Sequence, residues 1–542
     1  MTQPIAPLLG LIQDTPLNIA MIFERLRTVA ADGEVVTPDG RWTYGELSER
    51  ILRLCTVLTD ELGVRPGDRV ATFGYNTARH FELYYAVPLI GAVLHTVNIR
   101  LYGEQIAYIV NHARDRVLFV DGELVGALAE VAPQLTTVER YVRMGPGDDG
   151  DGTSLAALLD HDDLIAAAQP LRTLPDIAES AASGLCYTSG TTGMPKGVLY
   201  SHRGVVLHSF AACMTDHLGL RESDRILPVV PMFHAFGWSL PYAAPFTGAE
   251  LVLHGSDTSP QNIGRLIQDE RVTVAAAVPT IWKDLLPLLR AGAVDASSLR
   301  LVAVGGAASP RALIEAYDEL GIEYLQIWGM TETGPVACAS RPRRRHHGLD
   351  RDALLDVKER TGTIFSGLEA RVTDDAGQPL PWDGQSVGEL EVRGPWVASA
   401  YYEDDSSSEK FNGGWLRTGD VAYMEHDGYF RIVDRAKDLV KSGGEWISSV
   451  ELEGHLLAHP DIRDAAVVGL PSRKWDERPV AVVVPANGEA PTLESVRAFL
   501  ADRVAKWWLP DELVVVDEIP KTSVGKLDKK VLRQQLAHLE LA

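Results

Sequence analysis

Cysteine is scarce in this sequence. The four in 542 residues, Cys55, Cys186, Cys213 and Cys338, stand far apart and show none of the paired spacings of zinc or redox sites, so they read as buried thiols in a reducing compartment. Long apolar runs are missing as well. No stretch reaches the roughly eighteen uninterrupted apolar residues that a membrane helix requires, and Met1-Thr2-Gln3-Pro4 opens neither a signal peptide nor a basic transit peptide. A cytoplasmic protein with no transmembrane segment is expected. Positive charge is in deficit. With 51 Lys and Arg against 74 Asp and Glu, the formal charge of −23 repels nucleic acid and anionic lipid. The one basic cluster, Arg341-Pro342-Arg343-Arg344-Arg345-His346-His347, reads as a solvated loop in acidic surroundings rather than a nucleic-acid contact. Internal repeats are absent, and 542 residues exceed what one hydrophobic core serves, so two or more domains are expected.

What the chain does have is concentrated at Tyr187-Thr188-Ser189-Gly190-Thr191-Thr192-Gly193-Met194-Pro195-Lys196-Gly197. Glycines let backbone N–H groups turn toward an anion, hydroxyls add donors, and Lys196 adds a positive charge that amides cannot supply. The spacing is not that of a Walker A loop, because Met194-Pro195 separate Gly193 from Lys196 and Gly197 follows the lysine. Read in short pieces this is a Gly/Ser/Thr surface turn; over eleven residues it is a phosphate loop of another kind. It resembles the signature loop of the adenylate-forming superfamily of acyl-CoA synthetases, carrier-protein-loading adenylation domains and firefly luciferase, with medium- and long-chain fatty acid CoA ligases the nearest in pattern. The resemblance implies a large N-terminal α/β domain with several sheets over residues 1–433, a hinge at 434–437, and a small mobile α+β C-terminal domain over 438–542.

Leu47 to Leu62 reads as a helix, Arg69 to Phe73 as a strand, Ala78 to Ile90 as a helix and Ala92 to Val97 as a strand, a β-α-β unit of a covered parallel sheet, with Val117 to Val120 a further buried strand. Met144 to Gly152, rich in Gly and Asp, reads as a connection. Strands are expected over Arg225 to Val230, Val272 to Val278, Leu301 to Val304 and Glu323 to Ile327, and ligands sit at such strand ends in α/β sheets. In the segment Pro231 to Trp238, His234 and Trp238 by themselves are pocket packing; the resemblance makes His234 an acyl-side residue, Trp238 the closure of an acyl tunnel, and Ala235 and Trp238 nucleotide neighbours.

The resemblance assigns the remaining roles by motif. Gly306 and Ala307, in a turn of small residues that lets a flat ring approach, and Gln326, Ile327, Trp328 and Gly329 are placed at ATP or AMP together with Thr188 to Gly193, Lys196 and Thr331. Trp328 departs from the usual tyrosine. Glu332 and Thr188 are the implied Mg²⁺ ligands, suited to a hard cation held by one or two carboxylates plus phosphate. Asp420 and Arg435 are implied at the ribose, and Lys437 at the nucleotide. Lys526, from Pro520-Lys521-Thr522-x-x-Gly525-Lys526, is the implied catalytic lysine, beside Lys196 and Glu332; Lys529 and Lys530 are not assigned. Lys441, Gly443, Gly444, Glu445 and Trp446 form a second Gly-rich turn on the CoA side. A helix is expected at Ser449, strands at Ala465 to Val468 and Pro479 to Val484 separated by Arg473 to Glu477, and a last helix from Lys529. The implied activity is ATP-dependent fatty acid CoA ligation, with ATP, CoA and Mg²⁺, in an enzyme whose relatives are often homodimers. Ligation of an aromatic or other acid, transfer to a carrier protein, or an inert binding protein on the same fold are the rivals.

Overall fold

The computed structural model describes residues 13–147, 155, 158–188, 194–405, 407–442, 445–472, 474–486, 490–522, 526–539 and 541. The run from Arg69 to Thr96 sets the pattern of the large domain. Strands Arg69–Phe73 and Val93–Thr96 lie parallel with Arg69 opposite Val93, and the helix Ala78–Leu89 crosses between them. Thr77 starts that helix by accepting a hydrogen bond from the His80 amide, and every residue of the helix except Arg79 is buried. A helix buried on all sides belongs between layers, and this one carries even the polar His80 and Glu82 buried. These strands belong to a seven-stranded sheet that ends in the antiparallel pair Ala182–Tyr187 and Gly197–Ser201, which flank the segment expected to bind phosphate.

The second sheet has nine strands. Its centre, Glu34–Thr37, Glu250–Val252, Arg225–Pro228, Val274–Ala277, Leu301–Val304 and Glu323–Gly329, is parallel, and antiparallel strands close both edges. Alternate residues feed opposite layers: Leu301 and Ala303 enter one core, Val302 and Val304 the other. A five-stranded antiparallel sheet follows, with Trp415–Met424 paired to Phe430–Arg435. The small C-terminal domain has its own five-stranded sheet, whose hairpin Ile462–Ser472 and Asp476–Pro485 separates two small apolar cores. Among the described residues no helix is long and apolar enough to cross a membrane.

Two local expectations change. The strands read as Ala465 to Val468 and Pro479 to Val484 are each longer, and the ladder continues through Pro471 opposite Glu477 to Ser472 opposite Asp476. Polar residues stop a pattern based on apolar content but not a cross-strand ladder, whose bonds are made by the backbone. The basic cluster is also more than a solvated loop. Arg341 pairs with Glu323 at 2.6 Å and donates to the His217 carbonyl at 3.1 Å, while His346 is buried edge-on to Tyr429. Arg343, Arg344, Arg345 and His347 remain exposed.

Candidate active site

The strand Leu301–Val304 ends in Gly305 and Gly306, and two structural units converge there. A Cβ on Gly305 would stand 3.3 Å from the Trp238 ring and 2.9 Å from Ile327, and one on Gly306, at φ +89°, would stand 3.8 Å from the Cε of Lys526. The lysine of the small domain therefore reaches the strand ends of the large one. Trp238 comes from the turn Ala235–Ser239, whose five residues all have left-handed φ, from 39° at Ala235 to 58° at Gly237. Burial pushes the His234 imidazole down to about 3, with Lys526 and Arg100 adding to the effect, so it is neutral at physiological pH. Ala307 is exposed beside the turn. Gln326 faces elsewhere: its amide donates to the Lys358 carbonyl at 2.9 Å and accepts from the Ser309 amide at 3.3 Å.

On the phosphate-loop side the described arms meet. The Thr188 amide donates to the Lys196 carbonyl at 2.9 Å and the Lys196 amide to the Thr188 hydroxyl at 3.1 Å; Ser189, Gly190, Thr191, Thr192 and Gly193 lie outside the described residues. The Lys196 ammonium pairs with Asp404 at 3.0 Å and lies 4.8 Å over the Tyr401 ring. Tyr401 in turn donates to Glu332 at 2.6 Å. Glu332 is 4% exposed, and among the described residues it has no ion-pair partner. A buried carboxylate held by a tyrosine hydroxyl, with Lys410 and Lys526 in electrostatic reach but not paired to it, suits a hard metal ion completed by phosphate and water. Thr331 is tied through its carbonyl to the Tyr200 hydroxyl at 2.8 Å, and Gly329 is required where it stands, because a Cβ would lie 1.9 Å from the Pro335 carbonyl oxygen.

Asp420 and Arg435 face each other across the antiparallel pair. The arginine Nε reaches one carboxylate oxygen at 2.6 Å, and the Trp328 indole N–H donates to the other at 2.9 Å. Burial lowers the Lys526 ammonium to about 8; Arg435 and Lys437 push in the same direction, and Asp420 and Glu332 oppose it. Burial lowers Lys437 too.

The family profile of AMP-binding enzymes matches residues 22–402, and the profile of their C-terminal domain matches residues 451–526. The chain belongs to the AMP-binding enzyme family. The chain is 42% identical to a 3-methylmercaptopropionyl-CoA ligase of Ruegeria pomeroyi over 97% of its length and 99% of the relative. It is 44% identical to a long-chain-fatty-acid CoA ligase of Thermus thermophilus over 97% of its length and 96% of that protein. The solved structure of the anthranilate CoA ligase AuaEII with anthranoyl-AMP superposes with a TM-score of 0.86 at 28% identity, covering 96% of this chain and 98% of that one. These likenesses establish the mixed α/β architecture of a large N-terminal and a small C-terminal domain.

This AMP-binding enzyme carries side chains around Glu332 that its motifs do not mark. Tyr401 and Asp404 are two. Lys410 is a third: its ammonium lies 3.4 Å from where a Gly419 Cβ would stand, and burial lowers its pKa against the pull of Glu332, Glu389 and Asp420. No local spacing announces them, since Tyr401 and Asp404 come from an irregular stretch and Lys410 from the short helix Ser407–Lys410, all remote in sequence from Glu332. The residues expected on the CoA side make their contacts elsewhere. Lys441 packs 4.7 Å over the ring of Trp446, which is half exposed, and among the described residues no hydrogen bond or ion pair joins either to Glu332, Asp420 or Lys526. Glu445 opens the strand Glu445–Ile447; Gly443 and Gly444 lie outside the described residues.

Proposed function

We propose that this AMP-binding enzyme is a cytoplasmic acid–thiol ligase that activates a medium- or long-chain fatty acid with ATP and passes the acyl group to CoA. The observation that carries this reading is the approach of Lys526 to the Gly305-Gly306 turn, beside Trp238 and within electrostatic reach of Glu332, Asp420 and Arg435. In the first step a carboxylate oxygen bonds to the α-phosphorus of ATP and the bridging P–O bond breaks, releasing pyrophosphate. Anion attacks anion, so fixed positive charge governs the barrier. One such charge about 4 Å away is worth about 4 kcal/mol at an intermediate dielectric, or about three decades in rate. Lys526 serves the α-phosphate and Lys196, exchanging Asp404 for phosphate, serves the outer ones. Glu332 and Thr188 would hold Mg²⁺, which supplies further charge neutralisation when bound. Asp420 and Arg435 hold the ribose.

In the second step the CoA sulfur bonds to the acyl carbon and the C–O bond to AMP breaks, with the thiol proton leaving to solvent. Lys526 has no task there. We assign residues 434–437 as the hinge about which the small domain turns, withdrawing Lys526 and bringing the Gly443-Gly444 turn to the thiol. The identity to a 3-methylmercaptopropionyl-CoA ligase favours a second reading, a short sulfur-containing or other acid. Release of AMP and pyrophosphate is measured over a panel of C3 to C16, aromatic and thioether acids, with and without CoA. Turnover that rises with chain length supports a fatty acid; turnover confined to the short or aromatic acids transfers the assignment to them, and no pyrophosphate with any acid rejects ligation.

A further inference from the structure

The bond between Trp328 and Asp420 links side chains 92 residues apart and joins the nine-stranded sheet to the five-stranded one. Asp420 is 2% exposed, and its carboxylate is gripped on both sides, by Arg435 Nε at 2.6 Å and by Trp328 Nε1 at 2.9 Å. Each carboxylate oxygen accepts about two hydrogen bonds, so roughly one acceptor position remains on each. Indole and guanidinium groups are donors only. Neither can take a proton from a ligand, so a hydroxyl arriving here must donate to the carboxylate itself. The Trp328 ring is set edge-on to Phe430 at 5.8 Å and 88°, and the Asp420 amide is anchored on the Thr418 hydroxyl at 3.1 Å, so the carboxylate plane is defined from three directions.

We infer that Trp328 is a positioning residue for sugar recognition: its N–H, with Arg435, turns the Asp420 carboxylate so that its two remaining acceptor positions receive the two adjacent hydroxyls of the ribose. This rests on the adenylating reading of the site. A tyrosine at 328 would keep a ring wall but bring a hydroxyl that both donates and accepts, with its oxygen beyond the ring rather than in it. The carboxylate would lose a fixed, one-way partner. Discrimination between ATP and a deoxynucleotide should therefore depend on a residue that acts only through another side chain.

The test compares KM and kcat for ATP and for 2′-deoxy-ATP in pyrophosphate release by the full chain. Three variants are measured: Trp328→Phe, a replacement of Trp328 by benzothienylalanine, which keeps the bicyclic ring and puts sulfur in place of N–H, and Asp420→Asn. Wild type should prefer ATP. Both Trp328 replacements should lower that preference roughly tenfold, the scale of one hydrogen bond to a charged group, chiefly through KM for ATP, and the thioether isostere should melt at the wild-type temperature. An isostere that keeps the full preference for ATP, while Asp420→Asn loses it, overturns the inference and leaves the site reading standing. If wild type and Asp420→Asn both fail to distinguish the two nucleotides, the ribose assignment falls and the inference with it.

Discussion

Lys526 is the residue whose proposed role a single substitution tests. Its ordinary value of 10.5 is lowered to about 8, first by burial and then by Arg435. The cation is present below that pH and lost above it. Adenylation should accordingly decline as pH rises through about 8 when followed as kcat/KM for ATP, which reports the free enzyme; a profile flat into the ordinary lysine range contradicts the role. Stability has the opposite sign. Between about 8 and 10.5 the unfolded chain binds the extra proton, so the penalty this group places on folding, full below about 8, is relieved as pH rises across that window. Lys526→Ala should remove most pyrophosphate release, by about three decades if one charge is lost, yet leave transfer from a supplied acyl-adenylate to CoA largely intact. Equal loss in both half-reactions refutes a lysine that serves only the first.

The turn Ala235–Ser239 is the element under most strain. Left-handed φ costs a non-glycine residue about 1–2 kcal/mol, and Ala235, Phe236, Trp238 and Ser239 all adopt it. Such strain persists where surroundings over-determine it. Here Phe236 is enclosed by Tyr84 and Tyr200, each at 5.1 Å, and by Tyr242 at 5.5 Å, and it lies on Gly184, where a Cβ would come within 2.4 Å of the ring. Gly184→Val should push Phe236 away and release Trp238 with it. If Trp238 is the proposed gate, acid binding should depend on nucleotide, and linkage would make nucleotide binding depend on acid to the same degree. Calorimetric titration of a C8 to C16 series with and without a non-hydrolysable ATP analogue measures this. Each methylene should add about 0.8 kcal/mol where the channel is deep enough, and both Gly184→Val and Trp238→Ala should bind acid without the analogue. Wild type binding acids equally in the two conditions returns Trp238 to ordinary packing.

At the scale of the whole molecule, the small domain is held to the large one at its root. The Asp434 carboxylate, 1% exposed at the end of Phe430–Arg435, accepts from the Ser449 amide at 2.7 Å, and Arg533 reaches the Lys437 carbonyl at 3.1 Å. Behind this lies the buried pair of Lys529 with Glu453 at 2.7 Å, so the lysine three residues past Lys526 is a structural partner. In this orientation Lys526 reaches the Gly305-Gly306 turn, while among the described residues Lys441 and Trp446 make no hydrogen bond or ion pair to Glu332, Asp420 or Lys526. A bulky side chain on the Gly443-Gly444 turn should then impair only the second step. Gly444→Trp is expected to spare pyrophosphate release while cutting thioester formation at least tenfold. Parallel loss of both products would remove the turn from the CoA path.

The strand-helix-strand order, the antiparallel strands that flank residues 188–196, the Gly305-Gly306 turn and the strand that leads into Trp-Gly-Met-Thr-Glu were legible because each is encoded within a few neighbouring residues. Periodicity of apolar side chains sets a strand or helix locally, and glycine marks the places where a Cβ would collide, as at Gly329. Tertiary structure alone decided that Tyr401 holds Glu332 across 69 residues, that Asp404 holds Lys196, that Lys410 lies beside Gly419, and that the tryptophan at 328 donates to Asp420 across 92. It also decided the left-handed turn, since nothing in Ala-Phe-Gly-Trp-Ser requires positive φ outside its cage of tyrosines. The reason is physical: such pairs depend on how three sheets are brought together at their ends, and that arrangement comes from the packing of distant cores rather than from the spacing of residues along the chain.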